Sequence, residues 1–140
     1  DAVFANADVT MLNVWATFCG YCIREMPELS ALNKEFADRG FQVIGLVGDV
    51  GDYKGGYTEA DMAAAASILD KAGADFPTLM PSAELIGSVL SQVTAYPTTL
   101  FVDRDGHLLG KPVLGAMGEE FWRGAIEAYL AAVPEQEAQG

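Results

Sequence analysis

Val9-Thr10-Met11-Leu12-Asn13-Val14-Trp15-Ala16-Thr17-Phe18-Cys19-Gly20-Tyr21-Cys22-Ile23-Arg24-Glu25-Met26-Pro27-Glu28-Leu29 decides how the rest of the chain is read. Residues 9–15 are apolar, β-branched or aromatic with little interruption, which fits a strand buried on both faces. From Cys19 to about Arg39 the period changes. Ile23, Met26, Leu29, Asn33 and Phe36 recur at helical spacing, and Gly40 is a helix stop. Pro27 lacks an N–H and is expected to kink this helix. Cys19 falls on the seam between strand and helix. Unpaired backbone N–H groups and the helix dipole stabilise a thiolate there. Cys22 lies one turn further on, within reach of a mixed disulfide formed at Cys19.

Outward from this stretch, Phe41–Val47 reads as a second strand, and strand, helix, strand implies a parallel βαβ unit. Residues 48–57 are a Gly- and Asp-rich loop. Thr58, with Asp61 three residues on, caps a helix that runs through Lys71 and stops at Gly73. A short extended piece at Phe76–Met80 follows, and Pro81-Ser82 opens another helix. Thr98–Val102 and Leu108–Leu114 read as strands joined by the turn Asp103-Arg104-Asp105-Gly106. A final amphipathic helix is expected from Glu119 to about Ala132. The predicted organisation is one domain over 1–133 and a disordered polar tail over 134–140.

The two cysteines have other readings. A structural disulfide around a two-residue loop would add little, because stabilisation grows with loop length. A structural zinc needs four ligands, and beyond the cysteine pair the chain offers only His107 among N and S donors. Dithiol–disulfide exchange at such a pair needs neither a metal nor an organic cofactor. His107 follows a turn glycine and reads as a surface residue. The acidic residues scattered over 49–61 lack an EF-hand register and read as solvated. The glycines at 51–56 lack the Gly-Lys-Ser/Thr ending of a phosphate loop.

Lys and Arg total 8 against 20 Asp and Glu, a formal net charge of -12. This balance excludes nucleic acid, which needs a basic surface, and disfavours anionic membranes. No apolar run is long enough to cross a bilayer. The chain starts at Asp1 without Met, so it is expected to be a mature or trimmed form from which a leader or anchor is absent.

The stretch from Asn13 to Leu29 resembles the active-site segment of the thioredoxin superfamily, and is most similar to its TlpA/ResA-like branch. The Arg-Glu-Met-Pro run at 24–27 carries the likeness to the branch, and Tyr96-Pro97, the hairpin and the last helix extend it along the chain. The resemblance implies an α/β thioredoxin fold: a central mixed sheet with helices on both faces and a strand/helix insertion around residues 50–80. It implies a protein-disulfide reductase working outside the cytoplasm, often in cytochrome c maturation. Disulfide-bearing proteins would be its substrates and a membrane or thioredoxin-type protein its electron donor; a monomer is expected. Cys19 would be the nucleophile and Cys22 the resolving cysteine. Pro97 would be a cis-proline, and Phe18, Tyr21, Tyr96 and Pro97 would form the docking surface. Glu25 matches a glutamate that moves protons beside the cysteines, although its position equally suits an exposed acid favoured by the helix dipole. Asn13 stands where thioredoxins carry a buried acid, and an amide cannot take a proton at neutral pH.

Phe18 replaces the usual Trp, and Tyr21 replaces the usual Pro, between or beside the cysteines. Gly-Tyr also occurs in a periplasmic disulfide isomerase, so isomerase or oxidase action by the same pair is an alternative. A copper(I)-handling chaperone is another, but its relatives place three residues between the cysteines and add a histidine. A peroxidase would need Thr or Ser where this chain has Ala16.

Overall fold

A computed structural model describes residues 3–52 and 54–139. Five strands form one sheet: β1 (Val9–Trp15), β2 (Phe41–Val47), β3 (Thr78–Leu79), β4 (Thr98–Val102) and β5 (Leu108–Leu114). Four helices accompany them: α1 (Gly20–Phe36), α2 (Glu59–Ala72), α3 (Ala83–Ser88) and α4 (Glu119–Gln139). Short 3-10 turns lie at Phe4–Asn6, Ala37–Arg39 and Leu90–Gln92. The order across the sheet is β3-β2-β1-β4-β5. β1 pairs with β2, and β2 with β3, in parallel; β1 with β4, and β4 with β5, are antiparallel.

The continuous apolar character of residues 9–15 has its cause in this order. β1 lies in the middle of the sheet with both edges paired and every residue buried. On one face Met11, Trp15, Val43 and Phe101 pack against Met26, Leu29 and Leu32 of α1, Ala65 of α2, and Trp122 and Ile126 of α4. On the other, Leu12, Val14, Ile44 and Val102 pack under Phe4, Leu85 of α3 and Val89 just after it. Helices cover both faces, and α2 with β3 forms the expected insertion. This is the thioredoxin fold.

Local signals explain the boundaries. Thr58 and Asp61 form a reciprocal capping box at the start of α2, which satisfies two otherwise unpaired backbone donors. The helix ends at Gly73, whose left-handed backbone (φ 74°) favours glycine. Gly40 (φ 82°) ends the first helix in the same way, after a 3-10 turn. α1 runs through Pro27 as one helix, so the proline does not end it.

One boundary differs from expectation: α4, expected to end near Ala132, continues as helical backbone through Gln139. Glu, Gln and Ala are strong helix formers, and the helix already propagating from Glu119 meets Pro134 at the loss of about one hydrogen bond. Gly140 lies outside the described residues.

Candidate active site

The carboxyl ends of parallel strands are where open α/β sheets place their sites. β1 ends at Trp15, and Ala16 to Cys19 then turn tightly, with the Cys19 N–H donating to the Ala16 carbonyl at 3.1 Å. A carboxylate clamps this turn: Asp49, just past β2, accepts the Thr17 N–H at 2.9 Å and the Thr17 hydroxyl at 2.5 Å. The acidic residues of 49–61 were expected to be solvated. Asp49 departs from that because the β1–β2 register brings residue 49 beside the turn after β1.

Cys19 is the N-cap of α1, and its Sγ accepts the Cys22 N–H at 3.2 Å. The two cysteines are joined as a disulfide, with Cα atoms 5.3 Å apart. Cys19 is 8% exposed and Cys22 is fully buried, at 0%. Of the two, Cys19 alone keeps any exposure. Once reduced, the Cys19 sulfur faces a helix N-terminus that carries no acidic residue in its first turn. A donor N–H, the helix dipole and the absence of a competing anion all favour the thiolate.

The Tyr96–Pro97 bond is cis, as the resemblance implies. Thr98 pairs with Val14, so Pro97 lies at the same end of the sheet as the Cys19 turn. Pro97 is buried, and the half-buried Tyr96 ring meets Phe18 edge-on at 5.9 Å. Phe18 and Tyr21 are 75% and 68% exposed, large apolar surface left open beside the disulfide.

Glu25 is buried rather than exposed, one turn after Cys22 on the inner face of α1. Its Oε2 accepts the Trp122 Nε1–H at 2.8 Å and the Met117 N–H at 3.0 Å. Its Oε1 accepts the Asn13 amide at 3.5 Å, and that amide also donates to Thr99 Oγ1 at 3.2 Å. Burial raises the Glu25 pKa above its ordinary value; the Met117, Trp122 and Asn13 donors pull the other way, and the Glu28 charge adds to the rise. The net result is a carboxyl that holds a proton more readily than an exposed one. In the sequence Trp122 is one apolar position of the final amphipathic helix. No periodicity distinguishes a buried Trp that merely packs from one whose indole N–H holds a carboxylate.

A pH dependence follows. A carboxyl whose folded pKa exceeds its ordinary 4.5 binds protons more tightly when folded. Its contribution to stability is fully present below that value and is lost as pH rises through the raised one. The stability of the natural chain relative to Glu25→Gln is therefore expected to fall as pH rises through this window and then level off. Urea midpoints of both proteins on either side of the window check this; a constant difference would mean that Glu25 is not perturbed.

His107 is placed by the Thr10–Val102 and Val102–Leu108 pairings at the opposite end of the sheet from the cysteines. Its backbone N–H is held by Asp103 in the hairpin turn. Among the described residues, the one grouping with metal-ligand spacing is Asp103, Asp105 and His107, which contains neither cysteine.

The model of the AhpC/TSA family matches residues 2–110, from ahead of β1 into β5, with the cysteine turn inside it. The chain belongs to the AhpC/TSA family. Within it, the chain is similar to thiol-disulfide oxidoreductase ResA of Bacillus thuringiensis, 26% identical over 122 residues that cover 87% of this chain and 61% of that protein. The chain thus spans about three fifths of the length of that curated relative. This likeness supports the TlpA/ResA-like branch. Among solved structures, a thioredoxin-family thiol:disulfide interchange protein of Chlorobium tepidum superposes with a TM-score of 0.71 at 22% identity, over 90% of this chain and 82% of that one. The exposed lipoprotein thioredoxin Etrx1 of Streptococcus pneumoniae is 28% identical, with a TM-score of 0.64 over 91% and 86% of the two chains.

Proposed function

We propose that this protein is a thiol–disulfide oxidoreductase that reduces disulfides in other proteins through Cys19 and Cys22. The observation that carries the reading is the disulfide pair at the start of α1, in which Cys19 keeps a small exposure of 8% and Cys22 has none. In the reduced enzyme the Cys19 thiolate attacks a substrate disulfide. A bond forms between Cys19 and one substrate sulfur, and the other leaves as a thiolate. Cys22, deprotonated, then attacks Cys19 Sγ, forms the Cys19–Cys22 disulfide and releases the second substrate thiolate. Glu25 takes up the Cys22 proton, a role consistent with its burial and raised pKa. Phe18, Tyr21, Tyr96 and Pro97 form the apolar platform on which the substrate docks. Two electrons and two protons return the pair to the dithiol, supplied by a membrane or thioredoxin-type donor.

The setting we propose is outside the cytoplasm, with apocytochrome c among the substrates and the protein acting as a monomer. Similarity to an exposed lipoprotein thioredoxin supports that location. No helix among the described residues is long and apolar enough to cross a membrane.

The reduction potential of the Cys19–Cys22 pair tests the direction of transfer. Equilibration with dithiothreitol or glutathione should give a value near about −270 mV or lower. A value between about −180 and −120 mV would replace the reductase with an isomerase or oxidase using the same pair, the alternative that Gly20-Tyr21 raises.

A further inference from the structure

Beside the cysteine pair lies one cation of unusual placement. Of the arginines among the described residues, Arg39, Arg104 and Arg123 are ion-paired to carboxylates. No such pair is found for Arg24 among those residues; its guanidinium stacks on the Tyr21 ring, with Cζ 4.7 Å from the centroid. Helical side chains lean toward the helix N-terminus, and here that direction leads to the cysteines. A methyl group added to Gly20 would lie 3.5 Å from Arg24 Nη1 and 3.9 Å from Cζ. The guanidinium therefore lies over Gly20-Tyr21, the dipeptide between the two sulfurs, in a chain whose net charge is -12.

We infer that Arg24, stacked on Tyr21, selects disulfide-bearing polypeptides with an acidic residue next to the attacked cysteine. This rests on the reaction proposed at Cys19. The acidic remainder of the protein repels such a partner only weakly at contact range, because exposed charges are screened beyond about 8 Å at physiological ionic strength. Within that range the local cation decides. A guanidinium presents a planar fork that matches a carboxylate through two parallel hydrogen bonds. The stack on Tyr21 already orders the group, so less freedom is lost on binding. The exposed Phe18 and Tyr21 rings take the apolar part of the same segment.

The test uses two synthetic disulfide-bridged peptides that differ only in Asp or Lys beside one cysteine. The readout is the ratio of their kcat/KM values. A ratio cancels any effect of Arg24 on the Cys19 thiolate, because that effect is common to both peptides. The natural protein should favour the Asp peptide. Arg24→Gln should lower the ratio by about threefold and Arg24→Glu by roughly tenfold, with both effects shrinking as salt is added. Lys71→Glu, which makes the same change in net charge at the far end of α2, should leave the ratio where it was. A ratio unmoved by the Arg24 variants, or moved equally by Lys71→Glu, overturns the inference while the reductase reading stands. Failure of the natural protein to reduce either peptide overturns that reading, and this inference with it.

Discussion

Replacing Cys19 with Ser is expected to bring disulfide reduction down to the uncatalysed background, a loss on the order of a thousandfold or more. A serine hydroxyl stays protonated at neutral pH under conditions where the capped Cys19 sulfur ionises, so the attacking species disappears. The fold should survive. Cys19 is a small N-cap at the edge of the core, and Ser is itself a favoured N-cap that can accept the Cys22 N–H. Cys22→Ser separates the two roles. It leaves Cys19 able to attack but removes the group that resolves the mixed disulfide, so a covalent adduct should build up to one substrate chain per protein. Mass spectrometry under non-reducing conditions reads this directly. If Cys22→Ser traps nothing while Cys19→Ser does, the assignment of the two sulfurs is reversed. That result would contradict the burial difference between them.

The second large effect is on stability. Trp122 is fully buried, packs against Phe101 and Phe121, and donates its indole N–H to Glu25. Trp122→Ala is expected to cost about 3–5 kcal/mol, the range for emptying a large aromatic site. Domains of this size have only about 5–15 kcal/mol in total, so urea unfolding should show a midpoint far below that of the natural chain. Trp122→Phe keeps most of the ring volume and removes only the donor. It should cost much less stability and move the Glu25 pKa further up, since one of the groups holding that carboxylate charged is gone. Infrared or NMR titration of the Glu25 carboxyl follows this shift. Equal losses in the two variants would mean that the hydrogen bond outweighs the packing. An unmoved Glu25 titration in Trp122→Phe would mean that the indole N–H does not stabilise its charge.

Much of the fold was legible because its signals are local. β1, β2, β4 and β5 match their expected spans: the first three are short apolar runs flanked by glycine, aspartate or proline, and β5 follows from the hairpin turn at 103–106. The cap at Thr58 and the stop at Gly73 follow from the chemistry of single residues. The end of α4 was not legible, because Pro134 breaks helices only on average and the flanking residues propagate them. Asp49 was misread because an acid in a Gly-rich loop carries no local mark of the turn it will meet across the sheet.

The same division runs through the active site. The chain order of Cys19, Cys22 and Arg24 is enough to put two sulfurs and a cation at one helix N-terminus, because the helical repeat places residues three to five apart within about one turn. Whether a sulfur is open or buried, whether Glu25 faces water or an indole N–H, and which loop holds Thr17 are settled by contacts between residues far apart in the chain. Trp122 and Glu25 are separated by 97 positions, and Thr17 and Asp49 by 32. Periodicity reports which side of an element is apolar. It does not report what is packed there, and the chemistry of this site depends on that.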